Sequence, residues 1–179
     1  MDDNRTKKIL GFINLIFSVF SPKAKGKELV YAFIYGISCH ILFGVAVIAM
    51  IYHMFYGMQK SYGNLQGPIA IITNGALILQ FPIVHSFLLS QNGQKLLNCL
   101  GPKGLAGKLS TTSFTIVASV QLLALFMLWS PSKIVYDMPF EILVYLLTVL
   151  YFLSWTLLIF ATIDAGLEVQ SGALGWISV

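Results

Sequence analysis

The chain has 179 residues, of which 57% are hydrophobic and only 10% are charged, with a mean hydropathy of +0.81 and a formal net charge of +4. Soluble domains carry about 25% charged residues, and so much apolar surface would cover a soluble monomer in exposed patches. The composition therefore excludes an ordinary soluble domain and predicts an integral membrane protein.

The first apolar stretch, residues 9–20, is too short to cross a bilayer, because a spanning helix needs about 20 residues. Lys7 and Lys8 precede this stretch, and Ser21 and Pro22 end it. It is predicted to be an interfacial helix on the membrane surface, with a buried half-helix as the alternative. It lacks the small-residue cleavage site of a signal peptide.

Four longer apolar stretches follow, and each is predicted to be a membrane-spanning helix. They cover residues 29–57, 69–89, 111–129 and 140–163. A short surface helix is expected near residues 94–100, in the connector after the second span. The prediction is an all-α, polytopic membrane helix bundle with four transmembrane helices and a short N-terminal interfacial helix. Its parts are an N-terminal segment (1–28), a four-helix domain (29–164) and a glycine-containing tail (165–179).

The placement of the basic residues predicts the orientation of the bundle. Nine of the eleven lie in the N-terminal segment and in the loop after the second span, whereas only Lys60 and Lys133 lie in the other two loops. This positive-inside pattern places both termini in the cytoplasm, for a protein of the cytoplasmic (inner) membrane. Because no soluble domain accompanies them, the basic clusters indicate contacts with lipid head groups rather than nucleic-acid binding.

Polar residues inside a span are costly and are therefore functional candidates. The second span holds Asn74, Gln80 and His85, together with Pro82, which is expected to kink the helix. Because 11 residues make about three helical turns, Asn74 and His85 should share one face. His85 could orient a substrate or move a proton near neutral pH. The alternative is that His85 only hydrogen-bonds a neighbouring helix or the carbonyl freed by the proline.

The remaining polar groups indicate structure more than chemistry. His40, beside Cys39, and His53 lie on other parts of the first span, so no metal site is predicted. Thr148, Trp155 and Thr162 recur every seven residues, a spacing typical of helix–helix seams, and Gln121 in the third span is interpreted in the same way. Asp164 and Glu168 form an acidic pair that suits a solvated helix end or, as the alternative, a bound cation or substrate amine.

Four stretches together resemble one family. They are LQFPIVHSFLLS (79–90), LSTTSFTIVASVQLLALFMLWSP (109–131), SWTLLIFATIDAG (154–166) and QSGALGW (170–176). In this order they are similar to the N-terminal membrane part of bacterial methanethiol S-methyltransferases, relatives of the isoprenylcysteine carboxyl methyltransferases. The resemblance covers roughly residues 31–176 and implies methyl transfer from S-adenosylmethionine to a small thiol or a lipidated cysteine.

The resemblance also implies that the cofactor half is missing. The family's cofactor site lies in a later half, with an Arg-(His/Gln)-Pro-x-Tyr motif, but the only arginine here is Arg5 and the sequence given stops at Val179. Gln80, His85 and Trp176 carry over as substrate-pocket candidates; catalytic and cofactor-binding residues remain unknown. The expectation is a chain that binds no S-adenosylmethionine and is inactive alone, with a separately encoded C-terminal segment as partner. The alternative is a non-enzymatic multi-pass membrane assembly or interaction protein.

Overall fold

The computed structural model describes residues 3–18, 25–100, 104–105, 107–132, 134 and 140–179. These residues form seven helices and no strand. The helices are α1 (Asp3–Ser18), α2 (Lys27–Phe55), α3 (Gly67–Leu89), α4 (Gln91–Leu100), α5 (Ser110–Leu128), α6 (Glu141–Gln170) and α7 (Ala173–Ile177). Four of them, α2, α3, α5 and α6, are long and apolar enough to cross a membrane. The chain is an all-α, multi-pass membrane protein, as the sequence predicts.

The helix bounds agree with the predicted spans at most ends. The surface helix predicted in the connector is α4, and α1 begins at Asp3, several residues before the apolar stretch that predicts it. α3 continues through Pro82 to Leu89. The predicted end of the interfacial helix at Phe20 lies outside the described residues, and so do Lys23, Lys103, Lys133 and Asp137.

α5 is the central helix of the bundle, with α2 packed along one side and α3 on another. Its buried face consists mainly of short hydroxyl residues, including Thr112, Ser113, Thr115 and Ser119. Short side chains allow helix backbones to approach closely, which is how membrane helices associate without a hydrophobic driving force. Two hydroxyls turn back on their own helix, Ser113 donating to the Leu109 carbonyl at 3.1 Å and Thr115 to the Thr111 carbonyl at 3.1 Å.

The bundle has two distinct ends. At one end α2 and α5 begin and α3 and α6 finish, and Lys25, Lys27, Lys95 and Lys108 lie there; we call it the basic end. At the opposite end the loop after α2 is tied to the end of α5. The backbone N–H of Tyr62 donates to the Met127 carbonyl at 2.9 Å, and that of Gly63 to the Trp129 carbonyl at 3.0 Å.

One side chain of α3 strengthens this opposite end. The amide of Asn74 donates to the Ser130 carbonyl at 2.9 Å and accepts from the Ser130 backbone N–H at 2.9 Å. The paired bonds satisfy both backbone groups of Ser130 just after α5 ends, where no helical partner is available. Asn74 is therefore a structural clasp between α3 and α5.

Residues 165–179, predicted as a tail, are packed against the bundle. α6 is interrupted at Gly166 (φ 98°), and the chain turns again at Gly172 (φ 73°) before α7. Both angles lie in the left-handed region that glycine adopts without strain. α7 then docks against α2 and α5, and Thr112 donates its hydroxyl to the Gly172 carbonyl at 2.8 Å.

α6 is the least integrated span. None of the residues in its most apolar window is buried, and the helices packed against it are α1 and α7 rather than the three other spans. Near the opposite end, the Tyr151 hydroxyl donates to the Ile51 carbonyl of α2 at 2.7 Å. α6 is therefore held mainly at its extremities.

A polar cavity at the basic end

Helices α3, α4, α5 and α6 line a partly open cavity of about 250 Å³ at the basic end, which we call the His85 cavity. The residues that line it mix amide, hydroxyl, imidazole and apolar groups: His85, Leu89, Gln94, Ser110, Thr111, Phe114, Val169 and Gln170. Four separate segments contribute to it. The cavity forms because α4 folds back against α3 and α5, and because α6 continues as far as Gln170.

The fold-back of α4 depends on the junction at Ser90. Its hydroxyl accepts the backbone N–H of Gly93 at 3.2 Å, as an N-cap does, and the Gln94 amide donates to the Leu88 carbonyl at 3.1 Å. A Cβ at position 93 would overlap the Phe87 carbonyl oxygen, so only glycine allows α4 to approach the end of α3 this closely. These contacts place Gln94 at the cavity wall.

His85 is held between two aromatic rings. Its imidazole stacks on Phe81, one turn earlier on α3, at a centroid distance of 5.3 Å, and meets Phe114 of α5 edge-on at 4.6 Å. Phe81 and His85 share a face, as their spacing predicts. The ring is turned toward α5 rather than away from the bundle. Its Nδ1 atom is buried and has no hydrogen-bond partner among the described residues.

A second unpartnered group belongs to another residue that lines the cavity. The Thr111 hydroxyl is also buried without a partner in the described part of the chain. A Cβ at position 175 would lie 2.6 Å from this hydroxyl, so Gly175 of α7 covers it from behind. Leaving a buried polar group unpaired costs about 1–3 kcal/mol. Two residues that line the cavity thus each carry a buried polar atom without a partner in the described part of the chain.

Gln80 lies outside the cavity. Its amide donates to the Gln121 carbonyl at 3.1 Å, while the Gln121 amide donates to the Gln80 side-chain oxygen at 2.7 Å and to the Gln80 carbonyl at 3.0 Å. Five residues correspond to about 140° around a helix, so Gln80 and His85 lie on different faces of α3. Gln80 therefore joins α3 to α5, and Gln121 has the joining role that its position predicts.

Trp176 lies in a different place again. Its indole N–H donates to His40 Nε2 at 3.0 Å, and its ring meets Phe33 edge-on at 6.1 Å. It lines an apolar groove of about 290 Å³ beside the first turns of α2, which we call the Trp176 groove. The structure thus separates the three pocket candidates and brings only His85 to a polar cavity.

The sequence did not single out Gln94, Thr111 and Gln170. These residues lie in the connector, in the first turn of α5 and at the end of α6, where polar side chains are ordinarily solvated. No sequence spacing relates them, because their proximity follows from the fold-back of α4 and the extension of α6. All three are neutral. The described part of the chain contains no cluster of three His, Cys, Asp or Glu residues that could hold a metal ion.

S-adenosylmethionine does not fit the groups that line the His85 cavity. The cofactor carries a carboxylate, a sulfonium and an adenine, each of which needs a placed polar partner. No arginine, lysine or carboxylate is among the lining side chains.

Comparison of the chain with family models, curated proteins and solved structures found no match.

Proposed function

We propose that this chain is the membrane-embedded portion of a thiol-directed methyltransferase, in which the His85 cavity holds the methyl acceptor. The observation that carries the proposal is that two residues lining one cavity, His85 and Thr111, each have a buried, unpartnered side-chain atom, Nδ1 and Oγ1 respectively. The family resemblance supplies the reaction class. S-adenosylmethionine would be bound by a separately encoded C-terminal segment, which the resemblance implies as the partner.

The residues of the cavity suit a thiol. A thiol is a poor nucleophile until it loses its proton, and an imidazole is the side chain best matched to accept that proton near neutral pH. With a thiol in the cavity, the S–H bond would break, the proton would move to His85 Nδ1, and the Thr111 hydroxyl would donate to the resulting thiolate. The rings of Phe81 and Phe114 hold the imidazole in place for this transfer.

Nitrogen NMR of the histidine side chains tests the acceptor site with methanethiol as the probe. His40 already accepts from Trp176 and His53 lies 3.4 Å from the Ser61 hydroxyl at the opposite end, so both serve as internal controls. We expect methanethiol to shift only the His85 resonances in the wild-type chain in nanodiscs. Thr111→Val should weaken the response several-fold. Equal shifts at all three histidines, or none at His85, would contradict the proposal.

Calorimetry tests the cofactor part separately. The chain alone should show no binding of S-adenosylmethionine, and a downstream reading frame with an Arg-(His/Gln)-Pro-x-Tyr motif should encode a segment that restores binding. Micromolar affinity of the chain alone would mean that its own residues form the cofactor site, and residues 164–179 would be the first to examine.

The same proposal includes an orientation. The basic end would face the cytoplasm, because nine of the eleven basic residues lie on that side of the four spans. Reporter fusions after Lys103 and after Val179 should report the cytoplasm, and fusions after Lys60 and Lys133 the outside. One reversed fusion would overturn the assignment to the inner membrane with both ends cytoplasmic.

A non-enzymatic assembly protein is the second candidate, and the exposure of α6 favours it. Large apolar side chains cover this helix on every side, and none of its most apolar window is buried within the chain. A partner subunit could cover such a surface as well as lipid does. Chemical crosslinking in native membranes would discriminate, because an assembly protein should give a partner adduct through α6 while methanethiol leaves His85 unchanged.

A further inference from the structure

The Trp176 groove has no free hydrogen-bonding side chain. It is lined by Leu29, Val30, Ala32, Phe33, Trp176, Ile177 and Val179. The only polar side-chain atom in that set is the indole nitrogen of Trp176, and its hydrogen is already donated to His40. The side chains of the groove therefore offer an occupant only apolar contact, which favours a hydrocarbon chain over a polar solute.

The groove opens toward the surrounding lipid. Val30 is 55% exposed and Phe33 is 48% exposed, so the outer wall of the groove is accessible from outside the bundle. With a rise of 1.5 Å per residue, Leu29 and Phe33 lie about 3 and 9 Å along α2 from Lys27. This depth corresponds to the first segment of an acyl chain below its head group.

Positive charge lies at the start of α2, within a few residues of the groove. Lys25 and Lys27 are exposed there, and neither side chain forms a hydrogen bond or ion pair with the described part of the chain. The one acidic residue in the first turn of α2 is Glu28, whose carboxylate oxygen extends to within 4.0 Å of where a Cβ on Gly104 would lie. The two lysines are thus available to an anionic head group.

We infer that the Trp176 groove is a binding site for one anionic phospholipid. An acyl chain lies against Val30, Phe33 and Trp176, and the phosphate pairs with Lys25 and Lys27. Charge and apolar surface occur in the order in which a phospholipid presents them, head group first and chain beneath. None of these residues lines the His85 cavity. The lipid site can therefore be tested independently of the proposed methyl-acceptor site.

Native mass spectrometry of the full chain, with equimolar palmitoyl-oleoyl phosphatidylglycerol and phosphatidylcholine, tests the site. Each basic residue near an anionic surface contributes about 1 kcal/mol, so replacing both lysines should weaken phosphatidylglycerol binding about 30-fold. The double variant is Lys25→Gln with Lys27→Gln, and Lys60→Gln at the opposite end is the matched control. The control should bind phosphatidylglycerol like the wild type.

A second pair of variants tests the acyl-chain part. Val30→Trp should fill the groove and abolish retention of either lipid, while Val45→Trp, at a valine 46% exposed farther along α2, should leave it intact. Equal lipid retention by all variants would overturn the inference. So would competition by inorganic phosphate, which would show a head-group site without a chain site, or replacement of the bound lipid by a second copy of the chain.

Discussion

Helices α5 and α6 are both long and apolar enough to cross the membrane, but they pack in opposite ways. One third of the most apolar window of α5 is buried, 33%, against 0% for α6. The difference lies in which residues interrupt the apolar sequence. α5 buries four short hydroxyl residues and Gln121, whereas α6 presents Leu, Ile and Phe on every side. Apolar content thus predicts crossing, and short or hydrogen-bonding side chains predict contact.

The hydroxyls of α6 illustrate the second half of that rule. Thr148, Thr156 and Thr162 each donate to the carbonyl four residues earlier on α6 itself, at 2.8, 3.1 and 2.8 Å. They therefore need no neighbouring helix. On α5, by contrast, the hydroxyl of Thr112 and the amide of Gln121 reach other helices or segments. α5 thus has side chains that hydrogen-bond beyond their own helix, whereas these three threonines of α6 do not.

The largest expected effect comes from the same substitution made in the two regions. Leu109, immediately before α5, is 0% exposed, and Leu157 on α6 is 61% exposed. Leu109→Ala leaves a cavity and should lower the free energy of unfolding by about 3 kcal/mol, whereas Leu157→Ala should change it by less than about 0.5 kcal/mol. Reversible unfolding in detergent measures both. Equal losses would show that α6 is packed inside the folded chain.

The docking of α7 on α5 comes next. In Gly175→Ala the new methyl would overlap the Thr112 hydroxyl and crowd Thr111, so we expect a loss of about 2 kcal/mol from overpacking. Gly75→Ala on α3 is the control, because a Cβ there meets nothing within 4 Å and alanine favours a helix. The same unfolding assay should show the control unchanged or slightly more stable. A neutral Gly175→Ala would mean that α7 does not pack against α5.

A smaller effect is expected at the amide pair between α3 and α5. Polar pairs inside membrane proteins couple by about 0.6 kcal/mol and at most about 1.7 kcal/mol. A double-mutant cycle of Gln80→Leu and Gln121→Leu should therefore give a coupling energy of about 0.6 kcal/mol, because only one hydrogen bond joins the two side chains. The other two bonds go to backbone carbonyls, so their loss is additive. If the effects of the two single variants are strictly additive, the Gln80 and Gln121 side chains do not stabilise the contact between α3 and α5.

The smallest effect should be found on α6. Thr156→Val removes only a hydroxyl that donates to the Phe152 carbonyl of the same helix, so the free energy of unfolding should change by less than about 0.5 kcal/mol. A loss comparable to that at Gln121 would indicate that α6 uses its hydroxyls to hold another helix.

The positions of the helices were predictable because the number of apolar residues needed to cross a bilayer is a property of the bilayer itself. The packing of the helices against one another was less predictable. The seven-residue recurrence of Thr148, Trp155 and Thr162 predicted a seam, but these hydroxyls bond within α6 and no described spanning helix packs along that stripe. Periodicity places residues on a face without saying what covers it.

The candidate site shows the same limit. His85 was recognisable because a titratable residue within a span is costly, and its stacking on Phe81 follows from a spacing of four residues. Thr111 and Gln170 were not recognisable, since the backbone angles at Gly166 and the fold-back at Ser90 decide where they lie. Trp176 was linked to His85 by resemblance, but its hydrogen bond goes to His40.

The hydrogen bond between Trp176 and His40 joins residues 136 positions apart, and this separation affects the order of assembly. During synthesis α2 is inserted into the membrane long before α7 is made, and a chain emerging N-terminus first can join α2 to α5 while α7 is still absent. Until then the surface around Gly36, which the Trp176 ring later covers, remains open. The contact between Trp176 and His40 is therefore among the last to form. It can form only after the fourth span, α6, has been made and inserted.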